Sequence, residues 1–139
     1  MPVFASLALQ EAVFTRLSNA PSLMDRRVAV YDEPPEGAVF PYVAFGESRY
    51  QPYHTKDTFG ATLTFDIHVW SDSRGQIEAK EMTALIDAEL TNSAALPVAG
   101  YVLVNLRLEN SKIVQQSRFG RSLYRGWLSY RAVVFKAAA

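Results

Sequence analysis

The sequence predicts an α+β domain: an antiparallel sheet of about four to five strands with two helices packed on one face, in the order α-β-β-β-α-β-β. Three observations carry this. Apolar residues recur at helical spacing in two separated segments. Apolar and polar residues alternate through Gly60–Ser71 and Ser122–Lys136, as in half-buried antiparallel strands. The strands come in runs joined by polar connections, which favours hairpins with helices gathered on one side. A length of 139 residues suits one domain, 1-139, with a core of its own.

The first helix is read from Leu9, Ala12, Val13, Arg16 and Leu17, with Ser6 as its N-cap. Asn19-Ala20-Pro21 ends it, because the residue before a proline is driven out of the α region. Arg27–Tyr31 is a short strand, followed by a stiff loop, Asp32–Gly37, with two prolines and a glycine. Phe40–Gly46 is the next strand, and Pro41 puts its start at an edge. Glu47–Phe59 is polar and aromatic and reads as a long projecting hairpin arm that extends its flanking strands. In Gly60–Ser71, Leu63, Phe65, Ile67 and Val69 face one way. Thr62, Thr64, Asp66, His68 and Trp70 face the other. A capping box, Ser73 with Gln76, opens the second helix, whose apolar stripe is Ile77, Met82, Leu85, Ile86 and Leu90. Pro97 and Gly100 close the connection to Tyr101–Glu109, with Val102, Val104, Leu106 and Leu108 on one face. Asn110–Arg121 reads as a second projecting polar loop. The last strand turns Tyr124, Leu128, Tyr130, Ala132 and Val134 inward.

The composition excludes several classes. There is no cysteine, hence no disulfide framework, thiolate metal site or cysteine nucleophile. The N-terminus lacks a signal peptide's basic region, and no run approaches the ~20 apolar residues of a membrane span. Net charge is zero but unevenly spread. Every acidic residue lies at or before Glu109, and six basic residues follow: Lys112, Arg118, Arg121, Arg125, Arg131 and Lys136. A head-to-tail assembling subunit can use such asymmetry, acidic surface meeting basic surface on the next copy. Basic wet faces on a strand give the same pattern with no partner.

Catalytic chemistry finds no footing. Asp66 and His68 share a strand face, but no nucleophile accompanies them at a recognisable spacing. His54 and His68 are the only histidines, too few for a metal site without further ligands. Phosphate-binding glycine loops and a nucleophile elbow are absent. No cofactor, metal or enzymatic activity is expected. Arg118, Phe119, Arg121, Tyr124, Arg125 and Trp127 interleave cations and aromatics, as nucleic-acid stacking platforms do. An isoelectric point near 6.7 falls short of the usual basic footprint.

Arg27-Val28-Ala29-Val30-Tyr31-Asp32, Pro41-Tyr42-Val43 with Gly46 and Glu47, and Leu63–Ser71 with its Trp70, followed by a helix, resemble the tail-completion or tail-terminator family of long-tailed phages and gene transfer agents. The likeness runs from about Leu7 to Leu90 and is weaker beyond Tyr101. It implies a structural virion protein, assembled in the bacterial cytoplasm, that forms a homo-oligomeric ring, typically of six copies. Its implied partners are the tail-tube protein and a neck or head-completion protein, with DNA passing through the lumen without sequence-specific binding. It implies no catalytic residue, cofactor or membrane. On this reading Tyr50, Tyr53, His54, Phe59, Arg118, Phe119 and Arg121 are candidate protein-interface residues. Arg125 and Arg131 face either an acidic neighbour or DNA. The alternatives are another head-tail joining protein (a neck stopper), a tail-tube-like subunit, or a small DNA-contacting module.

Overall fold

A computed structural model describes residues 3–54, 59–91, 96–118 and 121–137. The chain runs α1 (Val3–Ser18), α2 (Pro21–Met24), β1 (Ala29–Tyr31), β2 (Tyr42–His54), β3 (Phe59–Ser71), α3 (Ile77–Thr91), β4 (Tyr101–Arg118) and β5 (Arg121–Lys136). The five strands form one sheet in the order β1-β2-β3-β5-β4. The expected α+β class and strand number hold. The sheet is mixed, however, because β1 runs parallel to β2, with Val30 opposite Val43. The other pairings are antiparallel. A parallel neighbour requires a crossover, and the proline-rich stretch between Tyr31 and Tyr42 provides it without a helix.

Helices α1 and α3 lie on one face of the sheet. Ala5, Leu9, Val13 and Leu17, four apart, are buried on α1, and Met82, Ile86 and Leu90 on α3. They meet Leu63, Phe65, Ile67 and Val69 of β3 and Leu128, Tyr130, Ala132 and Val134 of β5. Tyr130, at the centre, is wholly buried. Its ring stacks on Phe65 at 5.5 Å, and its hydroxyl donates to Asp87 Oδ1 at 2.9 Å. A tyrosine is tolerated there because α3 supplies the acceptor its hydroxyl requires. Gly126 lets α3 approach β5 closely: a Cβ there would come within 2.7 Å of Thr83 Cγ2.

Several local expectations are corrected. α1 starts at Val3, so Ser6 lies inside the helix and is not its cap. Pro21, expected only to stop α1, also opens the short helix α2 at its first turn, where its missing N–H costs nothing. The first strand begins at Ala29 because Arg27 takes a left-handed conformation, φ 57°, closing the turn after α2. Ser73 and Gln76 form no capping box. Instead the Ser71 hydroxyl donates to Glu78 Oε1 at 2.6 Å and accepts the Ser73 N–H at 3.2 Å.

The segment expected as a second projecting loop is strand. β4 continues to Arg118 and pairs with β5 down to Arg118 opposite Arg121. Polar residues read as loop because β4 is an edge strand, wet on one side. Two register shifts, at Leu103/Asn105 and Leu108/Asn110, also break its alternation. The first leaves Val102 and Val104 exposed, against expectation, while Leu103, Leu106 and Leu108 pack on the core. The Glu47–Phe59 arm does extend β2 and β3 as a hairpin, pairing out to His54 opposite Phe59.

Tyr130→Phe should lower the unfolding free energy by about 1–2 kcal/mol, because it leaves Asp87 without its donor. Burial, then the bond to Asp87, pushes the Tyr130 hydroxyl pKa far up. The folded state keeps a proton that the unfolded chain releases near the ordinary value of about 10. The contribution is therefore intact below about pH 10 and lost as pH rises above it. Denaturant melts of both proteins at neutral and alkaline pH test this, and the variant should show the shallower alkaline loss.

Candidate functional site

The face of the sheet away from the helices carries the chemistry. Cross-strand register places its side chains in rows. Arg107, Arg131, Thr64 and Arg49 form one row, and Lys112, Trp127, His68 and Ala44 another. Val114, Arg125, Trp70 and Tyr42 form a third. The alternating members of β3 here are half-buried, so this face is partly shielded by its own long side chains.

Like charges facing each other across strands repel, and Arg107 faces Arg131 directly. The Leu108/Asn110 irregularity in β4 resolves this by turning Glu109 toward them, 3.8 Å from each guanidinium. A bulge that re-aims a side chain is a recurrent use of such irregularities. On the next row the Ser129 hydroxyl donates to Asp66 Oδ1 at 2.8 Å. Asp66 therefore engages Ser129, and the geometry gives His68 a different environment from the Asp-His pair weighed in the sequence.

The following rows form a stacked cation–aromatic cluster. The Arg125 guanidinium lies 4.6 Å from the Trp127 ring centroid and 5.4 Å from that of Trp70. Lys112 Nζ lies 4.2 Å from the Trp127 centroid. The His68 ring meets Trp127 edge-on at 4.7 Å. Such contacts are worth about 0.5–1 kcal/mol each when exposed and more when desolvated. Arg125 Nε and His68 Nδ1 are enclosed without a hydrogen-bond partner. Burial, then the Arg125 charge, lowers the His68 pKa, against smaller opposing effects of Asp66 and Glu47. Gly46, at the irregularity in β2, allows the imidazole to sit over the backbone, since a Cβ there would collide with it.

The sequence-predicted residues fall in two groups. Tyr53, His54 and Phe59 belong to the β2–β3 hairpin, which lies where β5 ends and β4 begins. Arg118 and Arg121 belong to the β4–β5 hairpin at the opposite end of the sheet. From Arg121 to Phe135, which lies opposite Gly60, one strand advances fourteen residue steps, roughly 45 Å. The two segments therefore form no common patch on one subunit. Phe59 is exposed. Tyr50 packs from the helix side against the core, with its hydroxyl enclosed and unpartnered. Phe119 lies outside the described residues, as do the side chains of Tyr53, His54, Arg118 and Arg121. Arg125 and Arg131 share the open face, one stacked between tryptophans and the other paired with Glu109. Sequence reasoning missed Lys112 as part of this cluster, because it placed that residue in a loop. No grouping of three or more metal-ligating side chains occurs among the described residues, and no described helix is long and apolar enough to cross a membrane.

Comparison with known proteins gives a consistent picture. A family model described as tail completion protein gp17 matches residues 11–134. The chain is 30% identical over 110 residues to the tail completion protein gp17 of Bacillus phage SPP1, covering 79% of this chain and 81% of that protein. A chain from the virion of a native gene transfer agent particle superposes with a TM-score of 0.80 at 29% identity, covering 94% of this chain and 97% of that one. The structure of bacteriophage SPP1 gp17 protein superposes with a TM-score of 0.62 at 24% identity, covering 99% of this chain and 96% of that one. That last likeness is one of fold.

The lowered His68 pKa means that the unfolded chain, titrating near about 6.5, binds the proton more tightly than the native state. Stability is thus intact above about pH 6.5 and falls on acidification below it. Thermal melts across that range should show the loss, and His68→Gln should flatten it. Gly46→Ala should cost about 1–3 kcal/mol by driving the imidazole off Trp127, read as a drop in denaturation midpoint with altered tryptophan fluorescence.

Proposed function

Because this chain belongs to the tail completion protein gp17 family of structural tail proteins, we propose that it forms a ring, of six copies, at the head-proximal end of a phage-like tail tube. The ring stops tube polymerisation and joins the tail to the neck. The family match over nearly the whole chain carries this reading, and the virion chain that superposes at 0.80 supports it.

The two hairpin ends suit such a part. A closed ring of identical subunits needs a heterologous contact, and a terminator needs two unlike ring faces. Tyr50, Tyr53, His54 and Phe59 serve one end of the sheet, Tyr50 by seating the hairpin on the core. Arg118, Phe119 and Arg121 serve the other. Separation of these sets along the strands matches contacts made in different directions. Growth stops because the neck-side surface does not repeat the interface that tube subunits offer each other.

DNA passes through the lumen without sequence-specific recognition. The near-neutral isoelectric point and the pairing of Arg131 with Glu109 favour weak, passing contact over a strong grip. Lys112 and Arg49 on the open face, with the outer part of the Arg125 guanidinium, are suited to meet phosphates or an acidic neighbour.

Purified protein mixed with purified tail tubes, weighed in solution and imaged, tests this reading. A closed ring on one end of each tube, with elongation blocked, is the expected result. A monomer that never touches tubes would overturn it.

A further inference from the structure

The turn that follows β1 is held in one shape and stands out from its edge of the sheet. Glu33 and Pro34 each precede a proline, which keeps both extended. The Ala38 N–H donates to the Pro35 carbonyl at 3.1 Å, and Gly37 supplies the φ of 80° at this bend. Glu33 and Glu36 are exposed, and Val39 is 79% exposed. Asp32 is engaged by Gln10 at 3.0 Å, but neither glutamate has a partner among the described residues. From Val28 to Ser48 the sequence contains four acidic residues and no lysine or arginine.

The opposite edge carries the complement. One row of register partners crosses the whole sheet: Tyr31, Ala44, His68, Trp127 and Lys112. The turn therefore begins at the level of Lys112, but four strand spacings away, roughly 19 Å. The two edges cannot meet within one chain. Lys112 is exposed, with its ammonium over the Trp127 ring. Arg125 is half-buried, with its guanidinium against Trp127 and Trp70. Neither cation pairs with a carboxylate among the described residues, whereas Arg131 lies near Glu109. The indoles hold both charges in place in advance, which limits the ordering cost of binding. Lys112 and Arg125 are diagonal neighbours on paired strands, roughly 7–8 Å apart at the backbone. Glu33 and Glu36 are three residues apart along a stiff extended segment, roughly 9 Å.

We propose that the Glu33–Val39 turn of one copy docks on the Lys112–Trp127–Arg125 cluster of a second copy. Glu33 and Glu36 meet the two cations, and Val39 lies against Val114, the register partner of Arg125. Turn and cluster are different surfaces at opposite edges of one sheet, so the contact is heterologous. They stand at one level, so repeating the contact adds no rise and closes a ring. Further along the edges Arg49 stands level with Arg107, like charge against like, which confines the contact to the end that carries the turn. The proposal rests on the ring reading above and names the contact that closes it. It also gives a use to the division between an acidic first part and a basic last part of the chain.

A charge exchange tests the pairing. Lys112→Glu should raise the protein concentration that caps half of a set of tail tubes about 10-fold, and Glu33→Lys should do the same. Combined in one chain, the two substitutions restore the pair with its signs exchanged, and capping should recover. The absence of cysteine allows a second test that removes no charge. Val39→Cys chains and Val114→Cys chains are mixed on tail tubes and treated with a short bis-maleimide. The expected result is a covalent dimer containing one chain of each kind, formed in the mixture and not by either variant alone. Closed rings without that cross-link, or a doubly exchanged chain that caps no better than its single variants, would overturn this contact and leave the ring reading standing. Absence of rings from the unmodified protein on tubes would overturn both. Cross-linking of Val114→Cys to the tube protein, or a steep salt-dependent affinity for DNA that Lys112→Glu abolishes without changing capping, would assign the cluster to those partners instead.

Discussion

Tyr130 joins the two layers of this protein at one point. It stands on β5, between β3 and β4, stacks on Phe65 and donates to Asp87 of α3. A fully buried hydroxyl needs a partner, and α3 supplies it through Asp87. With that helix held and Gly126 allowing it close, Met82 and Ile86 join Val69 and Leu128 in one buried core. The further links are weaker and more peripheral. Arg16 donates to the Glu89 carbonyl at 3.2 Å, joining α1 to α3. Arg26 pairs with Glu81 across exposed surface, a kind of contact worth about 1 kcal/mol or less.

Concentrating both helices on one side leaves the other side of the sheet to be managed by side chains alone. The solution is graded along the strands. Around Arg131 the charges are balanced by Glu109. Around Arg125 they are laid over indole rings. At the end near Tyr42 the crossover loop covers the sheet, burying Leu123 and Tyr42. Edge strands usually invite unwanted pairing. Here β4 is long and exposed, with Lys112 and Arg107 along it, the kind of charged decoration that discourages indiscriminate edge-to-edge association.

The same constraint explains the family likeness. A structural tail protein needs a firm body and contact surfaces more than a pocket with converging polar groups. The sheet keeps its two hairpin ends apart, and the helices hold it stiff. Changes in surface residues can then alter partners without altering the body, which fits a fold shared with the virion chain at 29% identity.

The sequence by itself determined the α+β class, the alternating strand β3, the inward face of β5 and the helical stripes at Leu9–Leu17 and Met82–Leu90. These are set by local periodicity and by the need to bury apolar area, both of which repeat at fixed spacing. Motif order also determined the family resemblance. Tertiary structure alone decided the parallel pairing of β1, since a three-residue strand carries no signal of direction. It decided that Asn110–Arg118 is strand, because the polar residues of an edge strand read like loop until a partner satisfies their backbone. The phase of β4 was likewise invisible, as irregularities at Leu103/Asn105 and Leu108/Asn110 arise from pairing and not from composition. The separation of the two candidate contact segments to opposite ends of the sheet depends on which strand lies beside which. That is a property of long-range register, and no local pattern of residues records it.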